Sequence, residues 1–330
     1  MATYSPTTGN LFQLGREGTA GTPVAATVLW RGEASSIEDG SEVMLASETI
    51  GLLAESGRSY IPQSLARYTS PETEATFEQL PHIFEASILT ATPSGPSPYV
   101  YAYPQSVTAP GTIKTYTLET GNKIDNAGDS AEMEYSFVQS YTLSGRIGEA
   151  WKVGPVNWVG RQRTGAALTA VSVAAVEEML FQKTIVSLDN AGGTIGTTAI
   201  AGVVLDASIN VSNTGLVPVF SADGALTFVT HKRIKPEITV TMTLEMNSDD
   251  AVSAIRTKRN ARGVQLLRFA ITGSASRAAT FDMAVLWNTV GTVQDNDGNA
   301  TVQVEGTVVY SSGDALFFST SVSNLLATLP

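Results

Sequence analysis

Few side chains in this sequence are equipped for chemistry. Histidine occurs twice, as His82 and His231, and cysteine does not occur. Without cysteine there is no thiol nucleophile, no thiolate-held zinc and no disulfide framework. Two histidines alone leave little for nucleophilic catalysis or a metal site. His82 stands beside the apolar face of a short helix, and His231 opens a basic cluster, His231-Lys-Arg-Ile-Lys235. Both read as structural histidines. The acidic pairs Glu177-Glu178 and Asp249-Asp250 are adjacent in sequence, which turns their members to different helix faces and makes a poor acid/base couple. Asp189-Asn-Ala-Gly-Gly-Thr-Ile-Gly196 is glycine-rich but lacks the Lys-Ser/Thr ending of a phosphate loop. Asp295-Asn-Asp-Gly-Asn299 starts like a calcium loop. Ala300 and Gly306 then stand where that loop needs Gly and Glu, so a hairpin turn is the reading. No catalysis, no cofactor and no metal are expected.

Composition points to a β-rich globular chain. Of 330 residues, 43% are hydrophobic, 15% are charged and 29 are glycine, with Thr, Ser and Val abundant, as in β-rich globular proteins. The formal charge is −11: residues 1–165 carry 10 basic against 17 acidic side chains, and residues 166–330 carry 10 against 14. Neither half has the basic excess of a nucleic-acid binder. Met1 to Pro6 lacks the basic and apolar regions of a signal peptide. Ala166 to Val176, the longest weakly polar run, is too short to span a bilayer.

The elements are legible from periodicity. Residues 73–88 begin as a polar alternating strand and become an amphipathic helix. Leu80, Ile83, Phe84 and Ile88 share one face, Pro81 is confined to the first turn, and Glu78 and Glu85 are expected on the wet side. Ile238 to Met246 alternates strictly and runs into a second helix, with Asn247 or Ser248 as cap, Ile255 on the core face and Gly263 at C′. Strand-into-helix therefore occurs twice. The helices start near 78 and 248, and three strands are expected after each.

This pattern divides the chain into an N-terminal arm (1–23), a first β unit (24–160), a connector (161–184) with a short helix at 174–183, a second β unit (185–310) and a C-terminal segment (311–330). Within the first unit, residues 48–67 form a loop or projecting hairpin. Residues 90–111 hold five prolines with Tyr99, Tyr101 and Tyr103, which excludes a central strand and predicts a surface excursion.

Six stretches carry a resemblance. In the first half they are Glu74-Ala-Thr-Phe-Glu-Gln-Leu-Pro-His-Ile-Phe84, with its acidic-X-Leu-Pro helix start, Thr115-Tyr-Thr-Leu-Glu119 and Tyr141-Thr-Leu-Ser-Gly145. In the second half they are Ile185-Val-Ser-Leu-Asp189, Gly193-Thr-Ile-Gly196 and the strand-helix from Ile238. Over roughly residues 20–310 the chain resembles the major tail proteins, or tail tube proteins, of long-tailed non-contractile bacteriophages. The motifs are individually weak.

The resemblance implies a mainly β fold of two tandem β-sandwich or barrel-like units, each with one flanking α-helix. It implies rings that stack into a tube, and with two units per chain, homotrimers with pseudo-sixfold symmetry. The implied partners are further copies of the chain, a tape-measure protein and tail-tip and terminator proteins. DNA would pass through the lumen without specific binding, which the acidic balance suits. The implied location is the virion tail, assembled in the host cytoplasm, with no membrane. Ring-to-ring contact is expected from the arm (8–23) and from Leu52, Leu53, Glu55, Arg58, Tyr60 and Ile61. A capsid decoration protein or a receptor-binding sandwich is the alternative.

Overall fold

The computed structural model describes residues 6–124, 129–200, 202–246 and 251–330. It is mainly β, with two α-helices among those residues. The first half contains β1 (Asn10–Arg16), β2 (Glu38–Asp39), β3 (Ala66–Ser70), α1 (Leu80–Ser87), β4 (Tyr99–Pro104), β5 (Tyr116–Asn122), β6 (Ala131–Arg146) and β7 (Val156–Gly160). The second contains β8 (Thr184–Asn190), β9 (Val204–Asn213), β10 (Glu237–Glu245), α2 (Ala251–Asn260), β11 (Val264–Thr272), β12 (Ala278–Val290), β13 (Asn299–Val308) and β14 (Phe318–Asn324).

The two halves place their strands in the same order. In the first, antiparallel ladders run β1–β5–β6–β7–β3–β2. In the second they run β8–β11–β12–β13–β10–β9. Leaving aside the two-residue strands Val28–Leu29, Thr73–Glu74, Lys152–Val153 and Thr164–Gly165, and counting the equally short β2, the six strands of each ladder series lie first-fourth-fifth-sixth-third-second, with the helix between the third and the fourth. Residues 88–115, which contain β4, are the first half's insertion between helix and fourth strand.

The halves are not separate bodies. Residues 141–146 of β6 pair with 206–211 of β9, and β4 pairs with β14, which itself pairs with β12. A single hydrophobic core runs through both, with Phe84 of α1 touching Tyr103, Tyr141 and Phe281. A smaller cluster holds Leu65, Tyr135, Phe137, Leu216 and Phe228. It lies under a ribbon formed by Leu216–Val219 and Thr230–Arg233.

The helices sit in corresponding places but are buried differently. All eight residues of α1 are buried. The Thr76 hydroxyl accepts the Gln79 N–H, and Arg233 donates from one guanidinium nitrogen to the carbonyls of Ser87 and Ile88. Groups left unpaired at both helix ends are thereby satisfied. In α2 only Ala251, Val252 and Ile255 are buried. The predicted cap at Asn247 or Ser248 lies outside the described residues. At its C-terminal end the left-handed residue is Arg262 (φ 54°) rather than Gly263, and the Gly263 N–H reaches back to the Lys258 carbonyl.

Five expectations are corrected. Residues 10–16 are not part of a free arm: Phe12 and Leu14 alternate into the core and β1 is paired along its length. Residues 90–111 are not a surface excursion, because β4 lies between its prolines and buries Tyr101 and Tyr103. Only Pro104 falls within that strand, at its end, where a missing N–H does least harm. Residues 311–330 are no appendage, since β14 buries Phe318 and Val322. The connector holds only a 3-10 turn at Phe181–Lys183 where a short α-helix was expected. Glu78 and Glu85 do not face water: both are buried, each on an arginine.

Candidate functional site

Of the residues that looked chemically capable, His82 and Asp189 are buried, His231 and Glu177 are half-buried, Asp295 and Asp297 are exposed, and Asp249-Asp250 lie outside the described residues. The Glu85 carboxylate accepts from Arg16 Nε at 2.8 Å and Nη2 at 3.0 Å, from the Tyr116 hydroxyl at 3.1 Å and from the Ala91 N–H at 3.3 Å. His82 Nδ1 lies 3.1 Å from the same tyrosine oxygen. Burial, helped by the Arg16 charge, pushes the His82 imidazole down to about 3, and burial raises the Tyr116 phenol. His82 is therefore a neutral hydrogen-bonding group at ordinary pH, enclosed on all sides. His231 packs its ring against Tyr135 and Phe137, and burial lowers its pKa.

The other acids of interest organise backbone. Asp189 accepts from the backbone N–H groups of Gly196, Thr197 and Thr198 and from the Thr197 hydroxyl, and so folds the glycine-rich stretch into a turn. Those contacts hold its carboxyl below the usual range against the opposing effect of burial. Glu17 takes the N–H groups of Gly21 and Tyr135 and the hydroxyls of Thr115 and Thr117. Arg277 joins Glu78 at 2.7 Å to Glu177 at 3.0 Å, tying the start of α1 to the connector and to the second half. Asp297 and Gly298 form a two-residue turn, both with positive φ, between Gln294–Asn296 and β13. Among the described residues no cluster of three His, Asp or Glu is placed to hold a metal ion. No described helix is long and apolar enough to cross a membrane.

The exposed features are of another kind. Residues 41–64 form a projecting hairpin. Met44–Leu45 pairs with Ser59–Tyr60, and the Ala46 N–H donates to the Arg58 carbonyl. Glu48 gathers Ser56 and Arg58 across the loop. At the foot, the Gly40 N–H donates to the Leu65 carbonyl. Leu52 is 64% exposed, Leu53 is fully exposed, and Tyr60 and Ile61 are 53% and 42% exposed; Glu55 and Arg58 are exposed as well. Eight of the 22 large apolar residues exposed among the described residues lie within 43–61. Nothing among the described residues covers them, and such concentration marks an interaction surface. By contrast Leu80, Ile83, Phe84, Ile88 and Ile255, the expected helix-on-sheet residues, are all buried.

A second exposed feature is the outer face of β6, β9, β10 and β13. Its alternating side chains include Thr142 and Ser144, Ser208 and Asn210, Thr239 and Thr241, and Gln303 and Glu305, none of them buried. A shallow groove runs across the middle of it. The face carries Asp206, Glu237, Glu245 and Glu305 against Arg146 at its rim, with Lys152 paired beside Ser144 and the half-buried Leu205 next to Asp206.

The third feature is a groove of about 900 Å³, lined mainly by apolar side chains, including Val107, Pro110, Ile234, Tyr310 and Phe317, with Arg233, Lys235 and Glu237. Its walls come from three separate segments, around 105–110, 233–239 and 307–317. No local sequence pattern announces it. The polar face was half visible in the strict Thr alternation of 239–243.

No family model and no curated protein matches this chain. The functional reading therefore rests on these surfaces and on the matching strand order of the halves.

Proposed function

We propose that the chain is a structural virion protein that self-assembles into stacked rings forming a phage tail tube, the conduit for DNA ejection. The observation that carries the reading is the shared strand order. Two units of one topology in a chain let three chains close a ring of six similar positions. Closing the ring also offers partners to strand edges that would otherwise stay open.

The polar face of β6, β9, β10 and β13 suits a channel wall. It presents hydroxyl and amide groups that water solvates. It has no apolar patch on which bases would stack, and Arg146 and Lys152 are outnumbered by its acids. DNA slides where few phosphates are neutralised, because each neutralised phosphate releases counterions and adds a lasting contact. The exposed 41–64 hairpin supplies the axial contact. In this reading the chain performs no catalysis, and its histidines are structural.

Light scattering on the assembled protein tests the stoichiometry. The smallest closed species should have three times the chain mass of 34.7 kDa. A closed species of six chains, or one that remains a monomer at all concentrations, would contradict it.

A further inference from the structure

The apolar hairpin and the apolar groove lie at opposite ends of one element. The ribbon of Leu216–Val219 and Thr230–Arg233 is linked at its loop end to the hairpin's foot, where the Ser64 N–H donates to the Leu226 carbonyl. At its open end the Ile234 N–H donates to the Gly215 carbonyl, and Arg233 and Ile234 enter the groove wall. The hairpin's foot and the groove wall thus lie at opposite ends of the ribbon within one copy.

Their chemistry is complementary. Residues 42–61 carry Glu42, Glu48 and Glu55 against Arg58, and Arg58 is already paired with Glu48, which leaves Glu42 and Glu55 uncompensated. The groove carries Lys235, and Arg233 that also donates to the Ser87 and Ile88 carbonyls, against Glu237, a net positive site on a chain of net charge −11. Val107, Ile234 and Tyr310 are 47%, 45% and 46% exposed there. The groove is large enough to take the tip of the hairpin with its backbone, beyond the two leucine side chains alone.

We infer that the hairpin of one copy docks in this groove of a second copy, with Leu52 and Leu53 between Val107, Ile234 and Tyr310 and the hairpin acids toward Arg233 and Lys235. Knob and groove are different surfaces of the same chain, so the contact is heterologous, and copies stacked along one axis can repeat it from ring to ring. It deepens the stacked-ring reading, on which it rests, by assigning the receiving surface and a fixed polarity to the stack.

The test uses two full-length variants, Leu53→Asp and Ile234→Asp, observed by sedimentation velocity and negative-stain microscopy. Both positions are exposed, so neither change should disturb the fold. Val107→Asp serves as a second groove variant. Each variant alone should lose stacking and stop at single rings. An equal mixture of Leu53→Asp and Ile234→Asp should recover stacks of two rings and no longer ones, because one partner keeps its groove and the other its hairpin. Parental stacks from both groove variants, or a mixture that stays at single rings, would overturn the inference. Parental rings that never stack would overturn it and leave the ring reading standing. Open head-to-tail chains without a ring cross-section, paired again by mixing, would uphold the docking and refute the rings. A parent that stays monomeric at every concentration would overturn both.

Discussion

Arg16 and Glu85 form a two-pronged ion pair at 2.8 and 3.0 Å that pins the middle of α1 to the end of the first core strand. Glu85 has no exposed side-chain surface, while Arg16 keeps 29%. Removing the arginine leaves a carboxylate buried with only a tyrosine and one N–H. Arg16→Ala should therefore cost about 3 kcal/mol, the lower end for breaking a buried pair, since water can reach the vacated site. Arg16→Met with Glu85→Leu should cost less than the sum of the single changes. Urea unfolding of the four proteins measures this, and strict additivity would contradict it.

The acid sensitivity of the fold should trace in part to His82. Its folded pKa is near 3, against an unfolded value of 6.5. The unfolded chain therefore binds the extra proton between those values. The stability contribution is complete above pH 6.5 and declines as pH falls toward 3, at about 1.4 kcal/mol per unit. Between pH 7 and 4.5 the parent should lose about 2–3 kcal/mol more than a His82→Gln variant. Parallel pH dependences of the two would show that the imidazole is not held neutral.

Phe84 is a meeting point of the halves, with its ring 5.4 Å from Tyr103, 6.1 Å from Tyr141 and 6.2 Å from Phe281. Phe84→Ala should cost about 3–5 kcal/mol. Because the core is continuous, the whole chain should melt in one lowered transition. Loss of the first half alone, with the second unchanged, would contradict a shared core.

Much of this architecture was readable from periodicity. Ile238 to Leu244 alternates with threonines and folds as β10, and Leu80, Ile83, Phe84 and Ile88 mark the core face of α1, whose other face was expected to be wet. The misses share a physical cause, namely partners distant in sequence. Phe12 and Leu14 look like two apolar residues in a polar arm until β5 pairs beside them. Tyr101 and Tyr103 sit among prolines, yet the pairing that makes them a strand comes from residues 318–324. Glu85 looks wet because its charge is cancelled by Arg16, nearly seventy residues earlier. The groove was invisible for the same reason. The hairpin was legible in part: its apolar residues at 50–53 and 60–61 are local, but its first strand, Met44–Leu45, lies outside the 48–67 stretch where a loop or a hairpin was expected.

Deletion of Ile50 to Ile61 with a short Gly-Ser bridge removes the apolar tip and one strand of the hairpin without touching the core, since Leu65 and Ala66 lie beyond the cut. The deleted protein should melt within a few degrees of the parent and form single rings without tubes. Tubes of parental length would show that stacking does not use the hairpin.

The most direct measurement is electron microscopy of the concentrated parental protein, with averaging of end-on views. The account predicts tubes built of rings, each of three chains and six similar lobes around an open channel, with the polar face of β6, β9, β10 and β13 lining that channel. Monomers, closed shells, or rings with that face turned outward would contradict it.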